Sequence, residues 1–203
     1  IETKKAKNIA ASYEVSKEFW SYLVTEKNVI NADEFIHAVP HYSFVWGDEN
    51  VNFLRKRHDA LVKDPLFNKL EYSEDWEVLS KWMPLVMRGR DKKTKVAGTR
   101  MDLGTDVDYG KLTKAMFRYL GTLDGVTINY YEHVKDLERE KNGLWNLSAS
   151  NILSHETEHH EANFVFIGAG GGSLPLLEKS DIPEADGFGG FPVSGQWLRC
   201  KNR

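Results

Sequence analysis

The sequence has few of the features that mark specialised classes of protein. Its 203 residues include one cysteine, Cys200, which excludes an intrachain disulfide framework and a zinc site built from several cysteines. No apolar run approaches the roughly 18–20 residues that a membrane-spanning helix needs, and no signal peptide is recognisable. The net charge is only −3, from 27 basic and 30 acidic side chains, so a broad nucleic-acid-binding surface is not expected.

The remaining composition is that of an ordinary globular protein. Hydrophobic residues make up 41%, aromatic residues 12% and charged residues 28% of the chain, which is enough apolar material to build a core. The length corresponds to about one to two average domains. The chain starts at Ile1 rather than Met and stops at Arg203, soon after a glycine-rich segment. We therefore expect it to be a piece of a longer protein.

Apolar periodicity predicts helices that alternate with strands. Helices are expected over residues 11–24, 49–63, 73–81, 111–123 and 173–179. Strands are expected over residues 33–46, 95–103, 126–131, 132–139, 144–152 and 164–167, with a polar turn over residues 154–162. Asn142 and Gly143 mark a hairpin, and Asp106 or Asp108 is placed to cap the helix after Gly110. This order predicts an α+β fold over residues 1–160, followed by the beginning of a nucleotide-binding α/β layer.

A glycine-rich turn follows the last predicted strand. It comprises Gly168, Ala169, Gly170 and Gly171. A strand, a glycine turn and a helix together bring backbone N–H groups close to a phosphate or a ring. The dinucleotide fingerprint is incomplete, because Ser173 stands at the third glycine position and no acidic residue follows about 20 positions later. A tight strand-to-helix turn without a ligand is the alternative interpretation.

A second motif, His155 to His159, has the H-E-x-x-H spacing of zinc sites. That chemistry requires a helix, because both histidines must share one face. The segment has almost no apolar residues and lies between predicted strands. A solvated polar turn is therefore favoured, and no metal site is predicted.

One histidine and two arginines are candidates for chemistry on a small substrate. His41 lies in an aromatic, strand-like segment, and histidine is suited to act as a general base near neutral pH. A hydrogen bond to the backbone, in the core or at a sheet edge, is the alternative for His41. Arg100 and Arg88 can hold a carboxylate in a bidentate grip, and an ordinary surface charge is the alternative for each.

The chain resembles the central part of bacterial malate:quinone oxidoreductases, which are flavoproteins. The resemblance covers nearly the whole chain in order. The matching blocks are Ser16–Trp20, Val39–Gly47, Asn50–Leu54, Pro84–Arg90, Thr99-Arg100, Gly104–Gly110, Phe164–Leu177, Ile182–Glu184 and Gly190–Gln196.

The resemblance implies an enzyme of the tricarboxylic acid cycle. Such an enzyme uses FAD to oxidise (S)-malate to oxaloacetate, and it passes the electrons to a membrane quinone without NAD. It attaches peripherally to the inner, cytoplasmic face of the cell membrane, and no nucleic acid is involved. Its fold joins a Rossmann-like FAD-binding domain to a substrate domain with a mixed, largely antiparallel sheet. Residues 1–160 then form the substrate-binding region, with FAD-contacting elements near 104–134, and residues 161–203 form part of the FAD-binding domain.

The resemblance also suggests roles for particular residues. Val134 is expected to make backbone contacts with the adenine side of FAD, and Gly168 to Gly171 mark the point where the chain re-enters the FAD domain. His41 lies in a matching block and is the hypothesised base or hydroxyl-binding group, while Arg100, with Arg88, is hypothesised to hold a carboxylate. Because the main phosphate-binding fingerprint belongs near the family's N-terminus, the segment by itself is expected to be inactive.

Two other functions stay open on the sequence. One is a related flavin oxidase that acts on a different 2-hydroxy acid. The other is a non-catalytic binding or structural module, which would share every motif named above.

Overall fold

Helices and short antiparallel strands alternate along the chain. The computed structural model describes residues 2–190 and 193–196, and the chain divides after Val126 into two compact units. The first unit contains α1 (Lys4–Thr25), α2 (Ala32–Phe35), β1 (Ile36–Ala38), β2 (His41–Trp46), α3 (Asp48–Leu61), β3 (Glu71–Ser73), α4 (Trp76–Trp82), α5 (Pro84–Met87), β4 (Val96–Met101), β5 (Thr105–Val107) and α6 (Tyr109–Leu120). The second unit contains β6 (Glu132–Arg139), β7 (Trp145–Asn151), β8 (Thr157–Ala162) and α7 (Ser173–Lys179).

The central sheet of the first unit has three antiparallel strands in the order β2-β4-β3. Because side chains alternate across a sheet, the strands supply two different packing surfaces. On one surface Ala97 packs with Val51 and Leu54 of α3. On the other surface Val96 packs with Leu79 of α4 and with Met87 of α5. We call these surfaces the α3 face and the α4 face of the sheet.

Close packing on the α4 face requires a glycine. A Cβ atom built on Gly98 would lie 2.8 Å from Leu79 Cδ2 and 2.9 Å from Met83 Cε. Carbon atoms normally stay about 3.5–4.0 Å apart, so the ends of the Leu79 and Met83 side chains would have to shift to admit any larger residue at this position. Leu79 itself is fully buried at this contact.

A second core of the first unit surrounds Trp20. Its ring meets Tyr13, Phe35 and Tyr109 edge-on, with 6.0 Å between ring centroids in each pair. This core joins α1 to α2 and α6. Asp108 begins α6 as predicted, because its Oδ1 accepts a hydrogen bond from the Lys111 amide at 3.0 Å.

The second unit is a three-stranded meander in the order β6-β7-β8. The predicted hairpin joins β6 to β7, and Gly143 adopts a φ of +89° in its turn, a conformation that glycine tolerates best. Leu137 and Ala149 are buried in this sheet. The Lys179 ammonium, at the end of α7, donates to the carbonyl of Lys135 in β6.

The α+β class is confirmed, but several local predictions are wrong. Residues 126–131 form no strand, and Tyr131 has a φ of +64°. Residues 157–162, expected to continue a polar turn, form strand β8 because β7 offers a free edge to pair with. The helix expected from residue 73 begins only at Trp76, because Asp75 caps it. Among the described residues, no helix combines the length and apolar character needed to cross a bilayer.

Another wrong prediction is the buried strand over residues 164–167. This segment is irregular, and Phe164 and Phe166 are 76% and 84% exposed. An apolar run becomes a strand only where a neighbouring strand satisfies its backbone groups, and this segment pairs with no strand among the described residues. The Rossmann-like assignment of residues 161–203, and the functional boundary near residue 160, stay predictions.

The contact between α4 and the sheet can be tested with two leucines that differ in burial. Leu79→Ala should lower the free energy of unfolding by about 2–5 kcal/mol, because it removes apolar contacts and leaves a cavity. Leu85→Ala, at a side chain that is 72% exposed, should change it by less than about 0.5 kcal/mol. Urea denaturation followed by tryptophan fluorescence measures both. Equal effects of the two substitutions would contradict the packing described here.

Candidate functional site

The register of the central sheet decides which predicted site residues can meet. His41 lies opposite Met101, and Tyr42 lies opposite Arg100. Residues directly opposite each other share a face of the sheet, and successive residues of one strand lie on opposite faces. His41 is therefore on the α3 face and Arg100 is on the α4 face. The structure does not bring the hypothesised base and the hypothesised carboxylate-binding arginine into one pocket.

Arg100 already has a carboxylate partner on the α4 face. Its Nε donates to Oδ1 of Asp102 at 2.7 Å, and Glu71 lies opposite it on β3. The guanidinium is only partly exposed. Asp102 occupies only the Nε donor of the guanidinium, and the role of Arg100 in holding a carboxylate stays a prediction.

The second arginine, Arg88, follows α5 on the same side of the sheet. Its backbone N–H closes the helix on the carbonyl of Pro84, and its side chain is exposed. In this loop it is Arg90 that contacts the sheet, with its guanidinium carbon 4.5 Å from the Phe44 ring centroid and 5.5 Å from that of Trp46. Arg90 therefore makes a cation–π contact with these two rings.

His41 stands beside a cavity of about 210 Å³ on the α3 face. The apolar side chains that line this cavity are Ala6, Leu54, Leu61, Phe67, Leu70 and Met101. The polar side chains that line it are His41, Ser43, Arg57, His58 and Thr99. We call this space the α3 cavity. Of these lining residues, the sequence analysis had identified only His41 as a candidate.

Two polar side chains of the α3 cavity differ in how they are satisfied. His58 is engaged, because its Nε2 lies 3.0 Å from the Leu70 carbonyl oxygen. Thr99 is only 5% exposed, and no other described residue forms a hydrogen bond with its hydroxyl. The helical spacing of Leu54, His58 and Leu61 in α3 is the sequence signal that would have placed His58 at this face.

A hydrogen-bonded cluster at the edge of the α3 face ties α3 to the sheet. The Tyr72 hydroxyl donates to Glu74 Oε1 at 2.6 Å, and Arg55 Nε donates to the same oxygen at 2.9 Å. The Tyr72 hydroxyl and the Arg55 guanidinium lower the pKa of Glu74 below its ordinary value. Burial, together with the bond to Glu74, raises the pKa of Tyr72 to about 12. This cluster is a structural tie and is not among the lining residues of the α3 cavity.

The predicted cofactor-binding residues all lie in the second unit. Val134 is half-buried in β6, opposite Ala149 and next to an irregularity in the ladder. Gly170 has a φ of +55°, and a Cβ built on Gly170 or Gly171 would meet nothing within 4 Å. Helix α7, which follows this turn, packs against β6. The structure therefore places Val134 and the glycine turn within one unit.

A family model described as malate:quinone oxidoreductase matches residues 1–203, which is the whole chain. The chain belongs to the malate:quinone oxidoreductase family. This confirms the family resemblance expected from the sequence blocks.

Individual relatives agree with the family match. A probable malate:quinone oxidoreductase from Flavobacterium johnsoniae is 52% identical over 202 residues, which is 100% of this chain and 41% of that protein. A probable malate:quinone oxidoreductase from Bacillus cereus is 48% identical over 203 residues, again 100% of this chain and 40% of that protein. The chain thus spans about two fifths of the length of the curated relatives it matches.

The second unit of this chain offers part of what a dinucleotide cofactor would require. The open space beside Gly170 and Gly171 lets a flat ring or a phosphate approach the backbone closely. No strand leads into the turn, however, so the strand–turn–helix unit that holds a dinucleotide pyrophosphate is not complete in the described residues. The turn therefore fits a supporting contact with FAD rather than the main phosphate site.

The segment from His155 to His159 does not have the helical geometry that a zinc site of this spacing requires. His155 lies in a turn with a φ of +62°, and His159 lies in the exposed strand β8. The two rings do not share a helical face, which the H-E-x-x-H motif requires. The segment is therefore better described as a solvent-exposed polar segment than as a zinc site, and its residues from Thr157 onward form a strand rather than a turn.

The lowered pKa of Glu74 predicts how stability depends on pH. A carboxylate whose folded pKa lies below its ordinary value of 4.5 stabilises the fold above that pH, and the contribution is lost as the pH falls through the folded pKa. The free energy of unfolding should therefore fall more steeply below about pH 5 in the wild type than in Glu74→Gln. Tyr72→Phe, which keeps the carboxylate but loses one donor, should lie between them. Identical pH profiles for the wild type and Glu74→Gln would contradict the assignment.

Proposed function

We propose that this chain is part of an FAD-dependent enzyme that oxidises (S)-malate to oxaloacetate and delivers the electrons to a quinone, as a step of the tricarboxylic acid cycle. The observation that carries the proposal is the family match over every residue of the chain. The relatives are named for malate and quinone. Because the chain spans about two fifths of their length, we propose that it is inactive by itself.

The chemistry of malate limits what the α3 cavity can do. Malate carries two carboxylates at neutral pH, and an ion that leaves water needs a charged partner or several hydrogen bonds. The α3 cavity has walls of leucine, phenylalanine and methionine, and Arg57 is its only arginine or lysine among the described lining residues. The α4 face carries Arg100 and leads to Arg88. We therefore keep these two arginines as the proposed carboxylate-holding side chains.

A general base for the malate hydroxyl must lie in the same pocket as the group that holds the carboxylate. His41 and Arg100 lie on opposite faces of the sheet, so one malate molecule cannot use both. If Arg100 holds malate, the base comes from another residue. Thus His41 cannot be the base if Arg100 binds the carboxylate of the same malate molecule, and the two proposed roles exclude each other.

FAD, when bound, would supply the acceptor for the hydride that leaves C2 of malate. In this chain Val134 and the turn from Gly168 to Gly171 are the residues proposed to contact it. Large apolar side chains of the second unit are exposed, among them Phe164, Phe166 and Phe188. Exposed apolar surface of this extent is typical of an interface. We propose that the remainder of a protein of the relatives' length covers it and completes the cofactor site.

A peripheral membrane contact is proposed for one corner of the first unit. Trp46, Leu85 and Val86 are exposed there. The segment from residue 90 to residue 95 follows α5 and carries four cationic side chains and one acidic side chain, and Lys95 is paired with Asp48. Exposed aromatic and aliphatic side chains beside cations match the chemistry of an anionic lipid surface. We propose that this corner contacts the inner face of the cytoplasmic membrane.

The proposed reaction can be tested directly. A protein of the relatives' full length that carries these residues should reduce a quinone analogue when (S)-malate and FAD are present and NAD is absent. Absorbance of the quinone measures the rate. Turnover with another 2-hydroxy acid but not with malate would show that malate is the wrong substrate. A protein that binds FAD but oxidises no hydroxy acid would favour a non-catalytic role.

The proposed membrane contact predicts a dependence on lipid charge. Lys92→Glu combined with Lys93→Glu should weaken binding of the full-length protein to vesicles of phosphatidylcholine and phosphatidylglycerol by at least about tenfold, since each cation near such a surface contributes about 1 kcal/mol. Sedimentation with the vesicles measures the bound fraction. Lys56→Glu combined with Lys69→Glu, at exposed positions elsewhere in the first unit, is the matched control. Equal losses in both double variants would remove this corner from the contact.

A further inference from the structure

The α3 cavity has the form of a small binding site for an uncharged ring. It lies between α3 and the central sheet, and the start of α1 contributes Ala6 to its wall. Its volume of about 210 Å³ lies below the roughly 300–1,000 Å³ of pockets that hold drug-sized ligands. It therefore has room for a single substituted ring. Its walls are mostly aliphatic and aromatic, which favours an apolar ligand.

The polar groups of the α3 cavity are concentrated on the sheet. Ser43 lies opposite Thr99 in the ladder, so the two hydroxyls share the α3 face, and His41 is the next residue of β2 on that face. Thr99 as a residue is only 5% exposed, and its hydroxyl is neither bonded to another described residue nor among the completely buried polar atoms that lack a partner. That hydroxyl can therefore donate into the cavity. An acceptor atom brought in by a ligand would satisfy it.

We propose that the α3 cavity binds the ring of a para-quinone, with the Thr99 hydroxyl donating to one of its carbonyl oxygens; this inference rests on the proposed function, in which a quinone is the electron acceptor. A quinone ring is flat and apolar, and its two carbonyls accept hydrogen bonds but donate none. The cavity offers the complementary set, which is apolar walls with hydroxyl and imidazole donors. His41, exposed at the cavity, is then a binding residue for the acceptor rather than a base for malate.

Binding can be measured on the 203-residue chain. Duroquinone is a suitable probe, because its four methyl groups leave no ring position at which the single cysteine, Cys200, can add. Ala6→Phe should fill the cavity and abolish binding in equilibrium dialysis. Ala11→Phe, at an exposed position of the same helix, should bind like the wild type. Thr99→Val should weaken binding about 5–10-fold through the lost hydrogen bond.

Three results of the binding experiment would overturn the proposal. The first is that the wild-type chain binds no duroquinone although its circular dichroism is that of a folded α+β protein. The second is that Ala6→Phe binds duroquinone as tightly as the wild type does. The third is that Ala11→Phe weakens binding as much as Ala6→Phe does. Thr99→Val keeps the shape of the side chain, so it distinguishes the hydroxyl from the general shape of the cavity. Unchanged affinity in Thr99→Val would overturn the assigned donor.

Activity of the full-length protein separates this proposal from the proposed function. With (S)-malate as the donor, Ala6→Phe and Thr99→Val should raise the KM for duroquinone far more than they change the reduction of a soluble dye such as 2,6-dichlorophenolindophenol. Parallel losses with both acceptors would overturn the cavity as the quinone site. If the wild type oxidises malate with neither acceptor, the proposed function fails, and the dialysis result still decides whether the cavity binds a quinone.

Discussion

The pairing of β2 with β4 is the constraint on which the rest of the first unit depends. It places Ala97 and Thr99 towards α3, and Val96 and Gly98 towards α4 and α5. Two helical layers therefore pack on a sheet of only three strands. The absence of a side chain at Gly98 lets Leu79 approach the sheet closely, and this contact fixes the position of α4. A shift of the register by one residue would exchange the two faces and unpack both layers.

The same register gives the two faces different chemistry. The α3 face has an apolar cavity with hydroxyl and imidazole groups, whereas the α4 face presents Arg100 with its acidic neighbours and leads to Arg88. A dicarboxylate and a quinone ring need opposite environments, since one requires cations and the other requires apolar walls. A sheet with two distinct faces can serve both reactants only at separate places. This separation is why the proposals assign malate and quinone to different sides of the sheet.

The second unit has a small core and several large exposed apolar side chains. Leu137 and Ala149 are buried in its meander, but Phe164, Phe166 and Phe188 expose most of their rings to solvent. Burial of such rings contributes about 1.5–3 kcal/mol each, which the segment forgoes in this form. The open backbone at Gly170 and Gly171 adds a surface suited to close approach of another group. Both features agree with a segment that spans about two fifths of its relatives.

The sequence by itself determined the family, the α+β class and the elements that local interactions decide. Helices α3 and α6 follow from their apolar spacing, the Asp108 cap from its side chain, and the first hairpin of the meander from Asn142 and Gly143. The tertiary structure alone decided which segments pair as strands, because a strand needs a neighbour to satisfy its backbone, and so it left 164–167 irregular and made 157–162 a strand. It also decided that His41 and Arg100 face opposite ways and that Thr99 lines a cavity. Side-chain alternation makes these facts depend on the register, which no single segment of the sequence encodes.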